Sequence, residues 1–139
     1  MLFTRASEYA LIALIHLSDK EGPCDVETMS AQLNIPKSFL AKIMQGLARD
    51  GLLRSFKGAK GGFVLARKPH EILIKDVFYA AEKRALSVFE CSGGDCYSQQ
   101  IHACKIYPVI SRLQEGIDNI LSSLTLEQLI KEGDKACSN

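Results

Sequence analysis

The sequence predicts a mainly α-helical fold with a small β-wing, and three observations predict it. Apolar residues recur at helical spacing through most of the stretch from Thr4 to Leu47. The period then shortens to that of two strands around a glycine-rich turn. The basic residues gather in the same part of the chain: between Pro36 and Lys68 there are eight, with Asp50 the only acid. That segment therefore carries +7 and the remainder −6, although the whole chain is only +1.

The elements follow in order. The segment from Thr4 to Leu17 reads as a helix because Tyr9, Ala10, Ala13, Leu14 and Leu17 fall on one face. Gly22-Pro23 ends it. Asp25 is a candidate N-cap for a short helix that buries Val26, Met29 and Leu33. Asn34-Ile35 makes a tight turn, and Pro36 suits the first turn of the next helix. That helix is expected to bury Phe39, Leu40, Ile43, Met44 and Leu47 and to stop at Gly51. Leu52 to Phe56 and Gly62 to Leu65 read as strands, joined by turn chemistry from Lys57 to Gly62. Short helix, turn, second helix and glycine-rich hairpin is the order of a winged helix-turn-helix.

Beyond the hairpin, Ile72 to Glu82 reads as another helix with Ile72, Val77 and Ala80 or Ala81 inward. The stretch from Arg84 to Cys104 reads as irregular, and its part from Cys91 to Cys104 is too polar and too glycine-containing for a core element. A long helix is expected from Lys105 to Ser122, with Pro108 tolerated in its first turn. Its apolar stripe is Ile106, Val109, Ile110, Leu113, Ile117, Ile120, Leu121 and Leu124. Thr125-Leu126-Glu127-Gln128 has the form of a capping box, so a last short helix starts near Leu126, and the end from Glu132 to Asn139 reads as frayed. The expected organisation is a DNA-binding winged helix-turn-helix over 1–83, a cysteine-containing loop over 84–104 and a dimerisation helix with a C-terminal helix over 105–139.

Several functional classes are disfavoured. No run of apolar residues is long enough to span a membrane. The apolar N-terminus contains Arg5, Glu8 and His16 and lacks a small-residue cleavage site, so it does not read as a signal peptide and a cytoplasmic location is expected. No acid/base pair or nucleophile–base arrangement suggests an enzyme, and no phosphate-loop or dinucleotide fingerprint is present; a small zinc or thiol-dependent enzyme is the rival from another class. The segregated charge fits a polyanion. On the helix after Pro36, Lys37, Ser38, Ala41, Lys42 and Gln45 are left on the outer face, where they suit a major groove. Lys57, Gly58 and Lys60 form a basic hairpin tip that suits a sugar–phosphate wall or a minor groove. The long helix carries more apolar surface than so small a chain needs, and Ile106, Ile110, Leu113, Ile117 and Ile120 are the expected homodimer interface.

Five cysteines are present. Cys91, Cys96 and Cys104 cluster with four and seven residues between them, while Cys24 and Cys137 stand apart. Clustered thiols in a cytoplasmic chain suggest an iron–sulfur centre, zinc or redox chemistry, which spacing alone does not separate. Three cysteines leave one coordination position, with His102 and Asp95 nearby.

These residues together resemble the IscR/NsrR-type winged-helix regulators of the Rrf-two superfamily. The resemblance covers nearly the whole chain. It rests on Leu2-Phe3-Thr4 with Tyr9-Ala10, on Ile35-Pro36-Lys37-Ser38-Phe39-Leu40, and on Leu47-Ala48-Arg49-Asp50-Gly51-Leu52-Leu53. It continues through Lys57-Gly58-Ala59-Lys60-Gly61-Gly62-Phe63-Val64-Leu65, Ile74-Lys75-Asp76-Val77, the three cysteines, and Leu124-Thr125-Leu126-Glu127-Gln128-Leu129. It implies a homodimeric regulator that binds a near-palindromic double-stranded DNA operator through the helix after Pro36 and the wing. It also implies a 2Fe–2S or 4Fe–4S cluster on Cys91, Cys96 and Cys104, sensing redox state, nitric oxide, iron or cluster supply. The fourth ligand implied by NsrR-like members is an N-terminal acid of the other subunit, and Glu8 stands at that position; His102 is the second choice. Other members of the superfamily lack a cluster and respond through thiols or a partner protein. This chain departs from the pattern in its cysteine spacing, in Tyr107 where IscR has a histidine, and in Ala41 where IscR has an acid.

Overall fold

The computed structural model describes residues 3–87 and 105–138. Helix α1 (Arg5–Ser18) starts at Thr4, whose backbone is extended and whose hydroxyl accepts from the Ala6 N–H at 3.1 Å. This satisfies one of the donors that a helix start leaves orphaned. Helix α2 (Val26–Leu33) is capped by Asp25, which accepts from the Thr28 N–H at 2.8 Å and the Thr28 hydroxyl at 2.6 Å. Those bonds from Thr28 hold the Asp25 carboxyl below the usual aspartate range. Asn34 then turns the chain in the left-handed region at φ 54°, a conformation asparagine tolerates better than most side chains. Helix α3 (Lys37–Arg49) follows from Pro36.

The inner face of α3 consists of Leu40, Ile43, Met44, Gly46 and Leu47, all buried. It packs on α1, α2 and helix α4 (Ile74–Glu82). Gly46 lets α3 approach α4 closely, since a Cβ there would sit 3.4 Å from the Ala80 carbonyl oxygen. Ala10, Ala13, Leu14, Met29, Leu52, Ile72, Ile74 and Val77 complete the core. Phe39 departs from expectation: it is 39% exposed and meets Tyr9 edge-on at 5.7 Å. The buried arc of α3 is already filled by Leu40 and Ile43, and Phe39 falls on its rim, over α1.

Strands β1 (Leu53–Phe56) and β2 (Gly62–Leu65) pair antiparallel, with Leu53 opposite Leu65 and Phe56 opposite Gly62. The far side of β2 is also paired. Cys24, in the α1–α2 connection, donates to the Phe63 carbonyl at 3.1 Å and accepts from the Phe63 N–H at 2.9 Å. The wing is thereby tied to the start of the helix-turn-helix. Gly62 makes this possible: its φ is +150°, and a Cβ there would lie 2.5 Å from the Cys24 carbonyl.

A 3₁₀ turn (Pro69–Glu71) leads to α4. The helix expected from Ile72 begins at Ile74. Ile72 is buried but spends its carbonyl on the Leu126 N–H at 2.9 Å, while Ile74 donates to Leu124 at 2.9 Å. These bonds pin the junction of α5 (Tyr107–Ser123) and α6 (Leu126–Cys137) to the start of α4. The capping box forms, with the Gln128 N–H on the Thr125 hydroxyl and the Gln128 side chain on the Thr125 N–H. The end expected to fray from Glu132 is helical through Cys137. Its residues are exposed and polar, and local pairs such as Lys131–Glu127 at 3.2 Å suit a solvated continuation.

Gly62→Ala is expected to cost about 1–3 kcal/mol of folding stability, since the new side chain meets both the positive φ and the Cys24 backbone. Denaturant unfolding that leaves the midpoint unchanged contradicts this account of the wing's attachment.

Candidate nucleic-acid interface and sensor residues

Because α3 spends one face on the core, its other face is determined. Lys37, Ser38, Lys42 and Gln45 are all exposed there, as expected. Lys37 Nζ lies 3.1 Å from Glu27 Oε2, but both side chains are largely in water. Such a pair contributes about 0–1 kcal/mol, so it exchanges readily for a phosphate. Lys42 and Gln45 also border a groove of about 300 Å³ with Arg49 and Lys83, which continues the basic surface towards α4. Arg49, Arg54 and Arg67 are exposed as well; the charge count contained them, but no helical or turn pattern singled them out.

The wing tip exposes Lys57, Gly58, Ala59 and Lys60. Gly58 has φ +110° and accepts from the Gly61 N–H at 3.0 Å, closing the turn. Its contribution is therefore the shape of the tip, which presents Lys57 and Lys60 on either side.

A buried carboxylate that sequence reading missed lies at the end of α4. Glu82 Oε1 accepts from the Thr4 hydroxyl at 2.5 Å, the Ser7 hydroxyl at 2.5 Å and the Thr4 N–H at 3.3 Å. Its side chain is 6% exposed. Burial pushes its carboxyl up, but the hydrogen bonds from Ser7 and Thr4 outweigh that and hold it below the usual glutamate range. The negative charge also faces the start of α1, where the helix dipole favours it. Next to it, Lys83 caps α4 in the left-handed region and its Nζ meets Asp50 Oδ2 at 2.8 Å, at the end of α3. Partners 33 to 78 positions apart give no sequence signal.

Of the expected sensor residues, Glu8 is exposed on the first turn of α1, with Arg5 Nη1 3.5 Å from its carboxylate. Cys91, Cys96, Cys104 and His102 lie outside the described residues. Among the described residues no three histidines, cysteines or acids gather as a metal site. Cys24 is buried, and burial followed by the Asp25 charge raises its thiol above the ordinary value.

The stripe of α5 divides. Leu121 is buried and Ile117 and Leu124 pack on the chain's own core. Ile106, Leu113 and Ile120 are 63%, 49% and 62% exposed, with Tyr107 and Val109 beside them, and Ile110 is half-buried. Ile117 is thus engaged within its own chain, whereas Ile106, Leu113 and Ile120 are largely exposed among the described residues. No helix among the described residues is long and apolar enough to cross a membrane.

A helix-turn-helix, a basic outer helix face and a two-stranded wing define a winged-helix DNA-binding protein. Residues 3–132 match the model of the Rrf2 family, described as "Iron-dependent Transcriptional regulator". The chain belongs to that family and is a transcriptional regulator, not an enzyme. It is similar to the HTH-type transcriptional regulator NsrR of Geobacillus kaustophilus, with 29% identity over 137 residues, 95% of this chain and 91% of that protein. It is similar to the HTH-type transcriptional regulator IscR of Photorhabdus laumondii, with 28% identity over 137 residues, 94% of this chain and 79% of that one. Among solved structures it resembles CymR (YrzC), the global cysteine regulator of B. subtilis, with a TM-score of 0.72 and 25% identity, covering 94% of this chain and 96% of that one.

Replacing Lys42 or Lys57 by Ala should weaken DNA binding and reduce the slope of log affinity against log salt by about one each. Affinities equal to wild type at several salt concentrations would remove these residues from the interface.

Proposed function

We propose that this regulator acts in the cytoplasm as a homodimer on a near-palindromic double-stranded operator, with its DNA affinity set by an iron–sulfur cluster. In this reading Lys37, Ser38, Lys42 and Gln45 enter the major groove, and Lys57 and Lys60 flank the backbone beside it, held there by Gly58. The dimer forms through the outward part of the α5 stripe, Ile106, Ile110, Leu113 and Ile120. The exposure of Ile106, Leu113 and Ile120, with Ile110 half-buried between them, supports this, because so much apolar surface on one helix is costly to leave in water. Ile117 supports the same helix from its own side.

The observation that carries the sensor is the donor set. Cys91, Cys96 and Cys104 supply three soft thiolates within one short stretch, as iron–sulfur centres require. The fourth ligand is Glu8 of the partner subunit, an exposed first-turn carboxylate whose ion pair among the described residues is with Arg5 at 3.5 Å. A bound cluster supplies a group that redox change, nitric oxide or iron scarcity can alter or remove. A carboxylate is a hard donor and holds iron less tenaciously than thiolate, so Glu8 is the ligand most easily released. Its release acts directly on α1, which packs against α3.

The similarity to CymR, named for cysteine regulation, favours a second reading in which thiols sense without a cluster. The buried Cys24, with its raised thiol, is poorly suited to that role, which leaves the three clustered cysteines and the exposed Cys137.

Anaerobically purified protein is expected to be coloured and to contain iron and acid-labile sulfide. Alanine at Cys91, Cys96 or Cys104 should abolish both, while Glu8→Ala should assemble the centre but lose it faster, as followed by visible absorbance. Wild-type protein without iron or sulfide favours the thiol reading. Glu8→Ala indistinguishable from wild type, with His102→Ala unable to keep iron, transfers the fourth position to His102.

A further inference from the structure

Glu82 and Lys83 are the last two residues of the winged helix before the stretch that leads into Cys91. They grip different parts of the reading unit. Glu82 holds Thr4 and Ser7 at the start of α1, and Lys83 holds Asp50 at the end of α3. Thr4 in turn accepts the Glu8 N–H at 3.2 Å, so the tie reaches the turn that carries the proposed cross-subunit ligand.

Lys83 occupies a backbone region that glycine adopts without strain. With Asn34 it is one of two non-glycine residues at positive φ among the described residues. The side chain makes use of that position, because Nζ reaches Asp50 at 2.8 Å past Gly46, where an added Cβ would lie 3.8 Å from Nζ. The Glu82 contacts are equally restrictive. A buried carboxylate that turns away from Thr4 and Ser7 leaves a charge and two hydroxyls without their partners, so intermediate positions are unfavourable. Ties of this kind favour discrete arrangements of α1 and α3 over a continuous range.

We propose that the Glu82–Lys83 step is the coupling element between the cysteine segment and the DNA-reading face. A displacement beyond residue 83 is passed by Glu82 to the start of α1 and by Lys83 to the end of α3. The inference rests on the cluster-controlled reading above. Glu82 and Lys83 are positioning residues: neither needs to touch DNA or the cluster.

The test compares two forms of the dimer on a duplex selected from a random pool by the wild-type protein. One form is cluster-loaded; the other carries Cys91→Ser, Cys96→Ser and Cys104→Ser together. Their affinity ratio in the wild-type background is expected to lie in the usual range for coupled sites, roughly five- to 150-fold. Lys83→Gly removes the ion pair and relaxes the backbone, so folding is retained; Glu82→Gln keeps the shape and removes the charge. In both, the ratio should fall close to one while iron content stays at the wild-type level. Exchanging the pair, Lys83→Asp with Asp50→Lys, should restore it. A ratio unchanged in Lys83→Gly, or an equal weakening of both forms, overturns the coupling and leaves the cluster reading standing. A wild-type ratio of one contradicts the cluster reading itself, and the coupling falls with it.

Discussion

The constraint on which the structure depends is the burial of one face of α3. Leu40, Met44 and Leu47 are fully enclosed by α1, α2 and α4, and Ile43 nearly so. Each such side chain contributes about 1.5–3 kcal/mol relative to exposure, so the helix has essentially one rotational setting about its own axis. That setting points Lys37, Ser38, Lys42 and Gln45 outward together. The reading face is therefore a consequence of the core, and its position relative to the wing follows from two further attachments. Leu52 and Leu53 bury the base of the hairpin, and Cys24 pairs with its outer strand.

Residues that act through local periodicity were readable from the sequence. The α3 stripe, the Asp25 cap, the Thr125 capping box and the glycine-rich wing all involve neighbours within a few positions. Lys37, Ser38, Lys42 and Gln45 emerged on the outer face of α3 for the same reason, since the apolar positions determine the polar ones, whereas Ala41, expected beside them, is half-buried. The rim position of Phe39 did not emerge, because composition does not indicate how wide an arc the neighbouring helices can cover. The start of α4 at Ile74 reflects the Leu73–Thr125 bridge, whose partner lies far along the chain. The helical end of α6 depends on solvated side chains with no apolar stripe to announce it. The Glu82 and Lys83 ties were invisible because their partners are distant in sequence, and an isolated Glu or Lys at a helix end ordinarily reads as a solvated charge.

The candidate site divides in a similar way. Its DNA-reading half is built on rigid elements and follows from packing. Its proposed sensing half, three thiols and a carboxylate of a second chain, would be a relation that no property of one helix encodes. The outward stripe of α5 is what supports the proposal of a two-chain unit. Ile106, Leu113 and Ile120 are largely exposed among the described residues, whereas Leu121 is buried and Ile117 packs on the core.

The proposed DNA-reading unit is a pair of α3 helices presented to successive major grooves by an α5-mediated dimer. Hydroxyl-radical footprinting on a duplex selected by the protein tests it most directly. The account predicts two protected patches on one face of the DNA, with centres about one helical turn, ~34 Å, apart. Leu113→Glu, which places a charge in the proposed dimer interface, is expected to reduce the pattern to weak, unpaired protection. A single patch from the wild-type protein, or paired protection that survives Leu113→Glu unchanged, would contradict it.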